Sequence, residues 1–164
     1  MSNVITALFE TPTKAAIAIH QLEIMGVTQD EISVIAGDKV SGNSFALDEG
    51  TKLPEGLAIG SVSGGLLAGI ISGLTAVGAV ATGGLGLLAS GPLVAALAGA
   101  GAGAMAGGVI GGAIGAAIPE HEVKYYEAAL EKGSVLIGVK YNDDNEKQIK
   151  KLLEAAGAEK VATA

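Results

Sequence analysis

Short apolar runs alternate with amphipathic segments in the first 36 residues and again after residue 119. The short runs are rich in β-branched side chains, which predicts buried strands, whereas apolar residues spaced three and four apart predict helices. The predicted strands cover residues 4–9, 32–36, 134–141 and 159–161. The predicted helices cover residues 12–25, 120–132 and 144–156.

Local signals mark the ends of these helices. Thr11 precedes Pro12, which predicts a capping hydroxyl followed by proline at the first helical position. Asp143 is followed three residues later by Glu146, which predicts a capping box for the last helix. A glycine follows each helix, at positions 26, 133 and 157.

The first helix is apolar on two sides. Ala15, Ala18, Ile19, Leu22 and Met25 share one face at 100° per residue. Ile17 and Ile24 lie on the opposite side. A surface helix needs only one apolar face, so the second face predicts a contact with a neighbouring helix or subunit.

The order of elements is β-α-β, a long insertion, then α-β-α-β. This order predicts an α+β fold with the split βαβ arrangement of ferredoxin-like domains, in which the first and third strands are central. The domain is discontinuous and covers residues 1–55 and 119–164. Those segments are long enough to bury a core of their own.

The insertion carries no charge between residues 56 and 119, while all ten lysines and all 17 acidic residues lie outside it. Its two halves, 56–82 and 92–118, are each 27 residues long, which corresponds to about 40 Å per helix. The segment GGLGLLASGP between them predicts a turn. We therefore predict that residues 56–118 form a separate helical hairpin.

Small residues recur along both predicted helices, and in the second one glycine occupies every fourth position. Such spacing produces a smooth helical face that lets another backbone approach closely, as in a glycine zipper. This pattern predicts self-association into a homo-oligomer. The residues expected to make the helix contacts are Gly56, Gly60, Gly64, Gly69, Gly73, Gly99, Gly103, Gly107, Gly111 and Gly115.

Two interpretations of the hairpin remain open. Its length and lack of charge favour insertion into a lipid bilayer about 30 Å thick, with Lys52, Lys124 and the Tyr125-Tyr126 pair at the base. Residues 1–10 lack the basic region of a secretory signal, so this interpretation keeps the termini cytoplasmic. The tip has no Lys, Trp or Tyr to anchor it, which argues against a full crossing. A tip without anchors suits burial in lipid, as in a re-entrant hairpin, or a cytoplasmic homo-oligomer, a shell or a filament, with the hairpins buried inside.

No catalytic motif accompanies this architecture. The formal charge of −7, without arginine, argues against a nucleic-acid partner. There is no cysteine, and the two histidines, His20 and His121, have no second ligand at metal-binding spacing. The glycines do not form a Gly-x-Gly-x-x-Gly phosphate loop. We therefore predict a non-enzyme with no cofactor and no metal, and the sequence identifies no small-molecule ligand.

Several segments resemble the bacterial general stress protein 17M-like family, also described as heat-induced or low-temperature-induced stress proteins. The resemblance spans TPTKAAIAIHQLEIMGV, EISVIA, the glycine-rich middle with ASGPL, and IPEHEVKYYEAALEKGSVLIGV at 118–139. The last segment is the most specific, through Pro119, Glu122, Tyr126, Glu127, Leu130, Gly133 and Leu136. The resemblance implies a stress-linked protein without enzymatic activity, and no catalytic residues.

Overall fold

A computed structural model of the chain describes residues 3–37, 40, 80–82, 85–91, 120–142 and 144–163. The strands are β1 (Val4–Phe9), β2 (Ile32–Gly37), β3 (Val80–Thr82), β4 (Leu85–Ser90), β5 (Val135–Lys140) and β6 (Lys160–Thr163). The helices are α1 (Pro12–Ile24), α2 (Glu120–Glu131) and α3 (Glu146–Ala155). A single 3-10 turn, Gln29–Glu31, leads into β2.

The six strands form one sheet in the order β3-β4-β2-β5-β1-β6, and every neighbouring pair is antiparallel. The predicted α+β class is therefore confirmed. The two strands expected to be central, β1 and β5, are both interior and pair with each other from Val4 opposite Lys140 to Phe9 opposite Val135.

One face of the sheet packs against α1 and α3. Side chains alternate between the faces of a strand, and on this face β1, β2 and β5 contribute every second residue. These residues are Ile5, Ala7, Phe9, Ile32, Val34, Ala36, Val135, Ile137 and Val139. From the helices, Ala15, Ile19 and Leu22 of α1 and Ile149 and Leu153 of α3 complete this core.

The opposite face packs against α2, which contacts β2 and β5. Tyr126 and Leu130 of α2 are buried together with the inward residues of this face, Leu8, Ile35 and Leu136. Because both faces are covered, all six residues of β1 and of β2 are buried, and neither strand shows a polar alternation. This explains why these strands read as continuous apolar runs.

The backbone of α2 approaches β2 closely at Gly37. A Cβ atom added to Gly37 would lie 2.4 Å from the carbonyl oxygen of Leu130. A second close approach involves β2 and Gly91, the residue directly after β4. Gly91 has a φ of +112°. A Cβ atom added to it would lie 2.4 Å from the carbonyl oxygen of Ile32 and 2.6 Å from Ser33 Oγ. Both positions therefore require glycine.

The prediction for the middle of the insertion is wrong. Residues 80–82 were assigned to the end of a helix and residues 85–90 to a turn, whereas they form β3 and β4. β4 pairs with β2, with Val34 opposite Ser90 and Gly37 opposite Leu87. An apolar run without charged residues has no polar face, so its periodicity does not distinguish a strand from a helix. The rest of the insertion, including its boundaries at 56 and 118, lies outside the described residues.

The helix-end signals were correct in part. Thr11 Oγ1 accepts a hydrogen bond from the Lys14 backbone N–H, and Pro12 begins α1 as predicted. Gly26, Gly133 and Gly157 follow the three helices with φ of +90°, +103° and +89°. The capping box at the last helix is wrong, because the cap of α3 is Asn145 and makes no side-chain capping hydrogen bond. Glu146 binds Lys150 instead, at 2.7 Å.

The second apolar side of α1 is only partly covered. Ile17 is half-buried, whereas the Ile24 side chain is 67% exposed and adjoins the exposed Met25. A contact with a partner at this side stays a prediction.

Candidate functional site

Four side chains from α2 and the start of β6 meet at one edge of the sheet. They are Tyr125, Tyr126, Glu159 and Lys160, and we refer to them as the tyrosine cluster. The antiparallel pairing of β6 with β1 places Lys160 opposite Leu8 and therefore on the face that α2 covers. The cluster thus joins the helix to the edge strand across that face.

The two rings of the tyrosine cluster form a right-angled corner. Their centroids are 5.8 Å apart and their planes are inclined by 86°, the edge-to-face arrangement that aromatic quadrupoles favour. The ammonium nitrogen of Lys160 lies 5.7 Å from each centroid, within the range of a cation–π interaction. One cation is therefore shared by two aromatic rings.

A carboxylate closes the tyrosine cluster on its exposed side. The Tyr125 hydroxyl donates a hydrogen bond of 2.6 Å to Glu159 Oε1. This length is typical of a hydrogen bond to a charged acceptor. The hydrogen bond fixes the Tyr125 ring, which is 45% exposed, whereas the Tyr126 ring is only 1% exposed and belongs to the core.

The hydrogen bond to Glu159 raises the pKa of Tyr125 above its ordinary value of 10.0, and burial and the negative charge of the carboxylate act in the same direction. The folded state therefore holds the phenolic proton more tightly than the unfolded state. The resulting stabilisation is fully present below pH 10 and is lost as the pH rises through the higher pKa of the folded protein. At neutral pH the Tyr125 hydroxyl remains a donor.

A position of Tyr125 and Tyr126 at a membrane interface stays a prediction, and the structure shows which residues they contact within the chain. Tyr126 packs on the sheet, and Tyr125 is tied to Glu159. The partners Glu159 and Lys160 were missed, since they lie 34 and 35 positions after Tyr125 and only the position of β6 beside β1 brings them near α2. No local motif marks such a cluster.

Other polar side chains of the described region form no larger site. His20 Nδ1 lies 3.6 Å from Glu23 Oε2 on the surface of α1, and the His20 side chain is 13% exposed. Thr6 Oγ1 is buried in the sheet without a hydrogen-bond partner. Among the described residues, no three His, Asp or Glu side chains are grouped so that they can hold a metal ion.

The ten glycines predicted to make helix contacts all lie outside the described residues. Within the part of the chain that is described, none of the helices has the length and apolar character needed to cross a bilayer.

Comparison with known proteins returned no significant match to a family model, a curated protein or a solved structure.

Proposed function

We propose that this protein is a non-enzymatic, stress-associated protein that assembles with copies of itself through the glycine faces of residues 56–79 and 92–118. The observation that carries this proposal is a charge-free stretch with glycine at every fourth position, inserted into a folded α+β domain. Glycine in a helix interior costs about 1 kcal/mol relative to alanine, so repeated glycine is expected only where close helix packing offsets that cost.

The proposed scaffold for this assembly is a ferredoxin-like domain. The strand order β2-β5-β1-β6, with α1 after β1 and α3 after β5, supports a split βαβ arrangement. Relative to that arrangement, β3 and β4 extend the sheet beyond β2, and α2 covers the second face. The association with stress rests on the resemblance of the segments 11–27 and 118–139 to general stress protein 17M-like proteins.

The pairing of β4 with β2 argues for attachment to one side of a membrane rather than a crossing. Residues 92–119 leave the sheet at Gly91 and return to it at α2, so a crossing segment must cross twice. Two helical crossings require about 40 residues. Residues 92–119 number only 28, and the charge-free part before β3, residues 56–79, numbers 24. We therefore propose that these segments insert shallowly, with the folded domain in the cytoplasm.

The same observation favours a second candidate, a soluble homo-oligomer. Each charge-free segment lies in sequence between two elements of the folded domain, so the two segments are also suited to pack against each other inside a shell or filament. In this candidate the glycine faces have the same role and lipid has none.

The proposal predicts that Gly107→Leu reduces the size of the assembly. A leucine side chain on the glycine face separates the packed helices. We therefore expect the sedimentation coefficient of the variant to be lower than that of the wild type at equal protein concentration, because the oligomer is smaller. Ala102→Leu is the matched control, because position 102 lies about 140° around a helix from position 107, and this variant is expected to keep the wild-type size. If Gly107→Leu sediments like the wild type, assembly through this face is wrong.

Cell fractionation distinguishes the membrane candidate from the soluble one. We expect the wild-type protein to sediment with membranes and to remain there after a carbonate wash, because a charge-free insertion does not depend on salt or pH. A peripheral protein held by charge serves as the control and is released by the same wash. Full recovery in the soluble fraction, as a large particle, contradicts membrane attachment and supports the soluble assembly.

A further inference from the structure

We propose that the tyrosine cluster is a binding site for a small organic ammonium cation, and that Lys160 occupies this site in the absence of the cation. Two aromatic rings at a right angle with a carboxylate beside them are the groups that bind quaternary ammonium ions in proteins. All of them are present here, with the rings of Tyr125 and Tyr126 inclined by 86° and the Glu159 carboxylate bound to the Tyr125 hydroxyl.

The distances indicate that a larger cation fits the corner better than the lysine does. The Lys160 nitrogen is 5.7 Å from each ring centroid, near the outer limit of about 6 Å for this interaction. The methyl groups of a quaternary ammonium ion extend from its nitrogen toward both rings and fill this distance. Such an ion is also less strongly hydrated than a primary ammonium group, so it loses less solvation when it contacts the rings.

Lys160 is in a position to leave the corner. It is half-buried at the first position of β6, the edge strand of the sheet, and its long side chain can extend into solvent while its stem stays on the protein. The Lys160 ammonium regains its hydration when it leaves, which offsets part of the lost contact. The rim of the site is open, since Tyr125 is 45% exposed and Glu159 is also exposed.

The charge of the site suits a cation once Lys160 has moved away. The Glu159 carboxylate accepts the hydrogen bond from the Tyr125 hydroxyl and lies beside the rings. The protein as a whole carries a formal charge of −7, which raises the local concentration of small cations at low ionic strength. A neutral molecule of the same shape gains neither of these contributions.

The test uses the full-length protein and choline as the probe, with saturation-transfer NMR as the readout because it tolerates weak binding and large assemblies. The neutral isostere 3,3-dimethylbutan-1-ol is the matched probe. We expect Lys160→Ala to bind choline about tenfold more tightly than the wild type, since the competing ammonium is gone. The double variant Lys160→Ala with Tyr125→Ala is expected to lose saturable binding.

Lys147→Ala is the control for the change in net charge, because Lys147 is exposed on α3, outside the tyrosine cluster. It is expected to bind choline like the wild type. The proposal is overturned by a lack of saturable choline binding to Lys160→Ala, by equal binding of the neutral isostere, or by equal tightening in Lys147→Ala. Binding that persists in the double variant also overturns it, because the rings are then not the site.

Discussion

Replacing Gly91 by alanine is expected to detach β4 from β2 and to lower the free energy of unfolding by about 3 kcal/mol or more. Two costs combine at this position. The φ of +112° is one that a residue with a Cβ atom rarely adopts, and the added Cβ would lie within 2.6 Å of three atoms of Ile32 and Ser33. Two of those three atoms belong to the backbone of β2, so a rotation of one side chain does not relieve the overlap.

Denaturant unfolding measures the loss, and hydrogen exchange locates it. We expect the amides of β4 to exchange much faster in Gly91→Ala, while those of β1 keep their protection. Gly133→Ala is the matched control, because Gly133 has a similar φ of +103° but nothing within 4 Å of an added Cβ. Gly133→Ala is expected to lower the free energy of unfolding by about 1 kcal/mol, because only the strained backbone contributes. Equal losses in the two variants contradict the close contact between Gly91 and β2.

Gly37→Ala is expected to destabilise the protein by about 2 kcal/mol, although alanine normally favours a strand over glycine by about 0.5–1 kcal/mol. The added Cβ would lie 2.4 Å from the Leu130 carbonyl oxygen and 3.3 Å from the Leu130 carbonyl carbon. Both are backbone atoms, so α2 has to move away from the sheet. That movement uncovers Tyr126 and Leu130, the residues of α2 that are buried between the helix and the sheet.

The sign of this change is the decisive measurement. Unfolding in denaturant gives the free energy, and tyrosine fluorescence includes the signal of Tyr126, because the protein has no tryptophan to obscure the emission of its three tyrosines. A graded series of Gly37→Ala, Gly37→Ser and Gly37→Val should lose progressively more stability as the side chain grows. Stabilisation by Gly37→Ala would mean that α2 does not approach β2 as closely as described.

The termini of the elements in the two flanks could be predicted because single residues determine them. Thr11 and Pro12 begin α1, and Gly26, Gly133 and Gly157 adopt the positive φ that ends a helix. The apolar runs of β1 and β5 predict buried strands, and both are buried on the two faces of the sheet. In these regions local chemistry and tertiary packing favour the same structure.

The middle of the insertion was predicted wrongly because its local signals conflict. The absence of charge and the small residues suggested a helix, whereas Val80 and Thr82 are β-branched and favour a strand. A Gly-Gly pair separates residue 82 from residue 85, which is the spacing of a two-residue hairpin. The free edge of β2 then provides a partner for β4, and no analysis of a single segment includes that partner.

The tyrosine cluster could not be predicted for a different reason. Tyr125 and Glu159 are distant in sequence, and their contact depends on β6 pairing with the outer edge of β1. Only the strand order determines which residues of β6 lie beneath α2. The Tyr125-Tyr126 pair could be recognised in the sequence, whereas its partners Glu159 and Lys160 could not.

The position of β4 beside β2 has a consequence for solubility. Without β3 and β4, β2 would be an edge strand with six buried, apolar-rich residues and a row of unpaired backbone groups, which is a template for aggregation. With them, the last strand of the described sheet on this side is β3, which is only three residues long. The opposite edge, β6, is four residues long and begins with a lysine. The strands inserted next to β2 therefore protect the domain against uncontrolled edge-to-edge growth of its sheet.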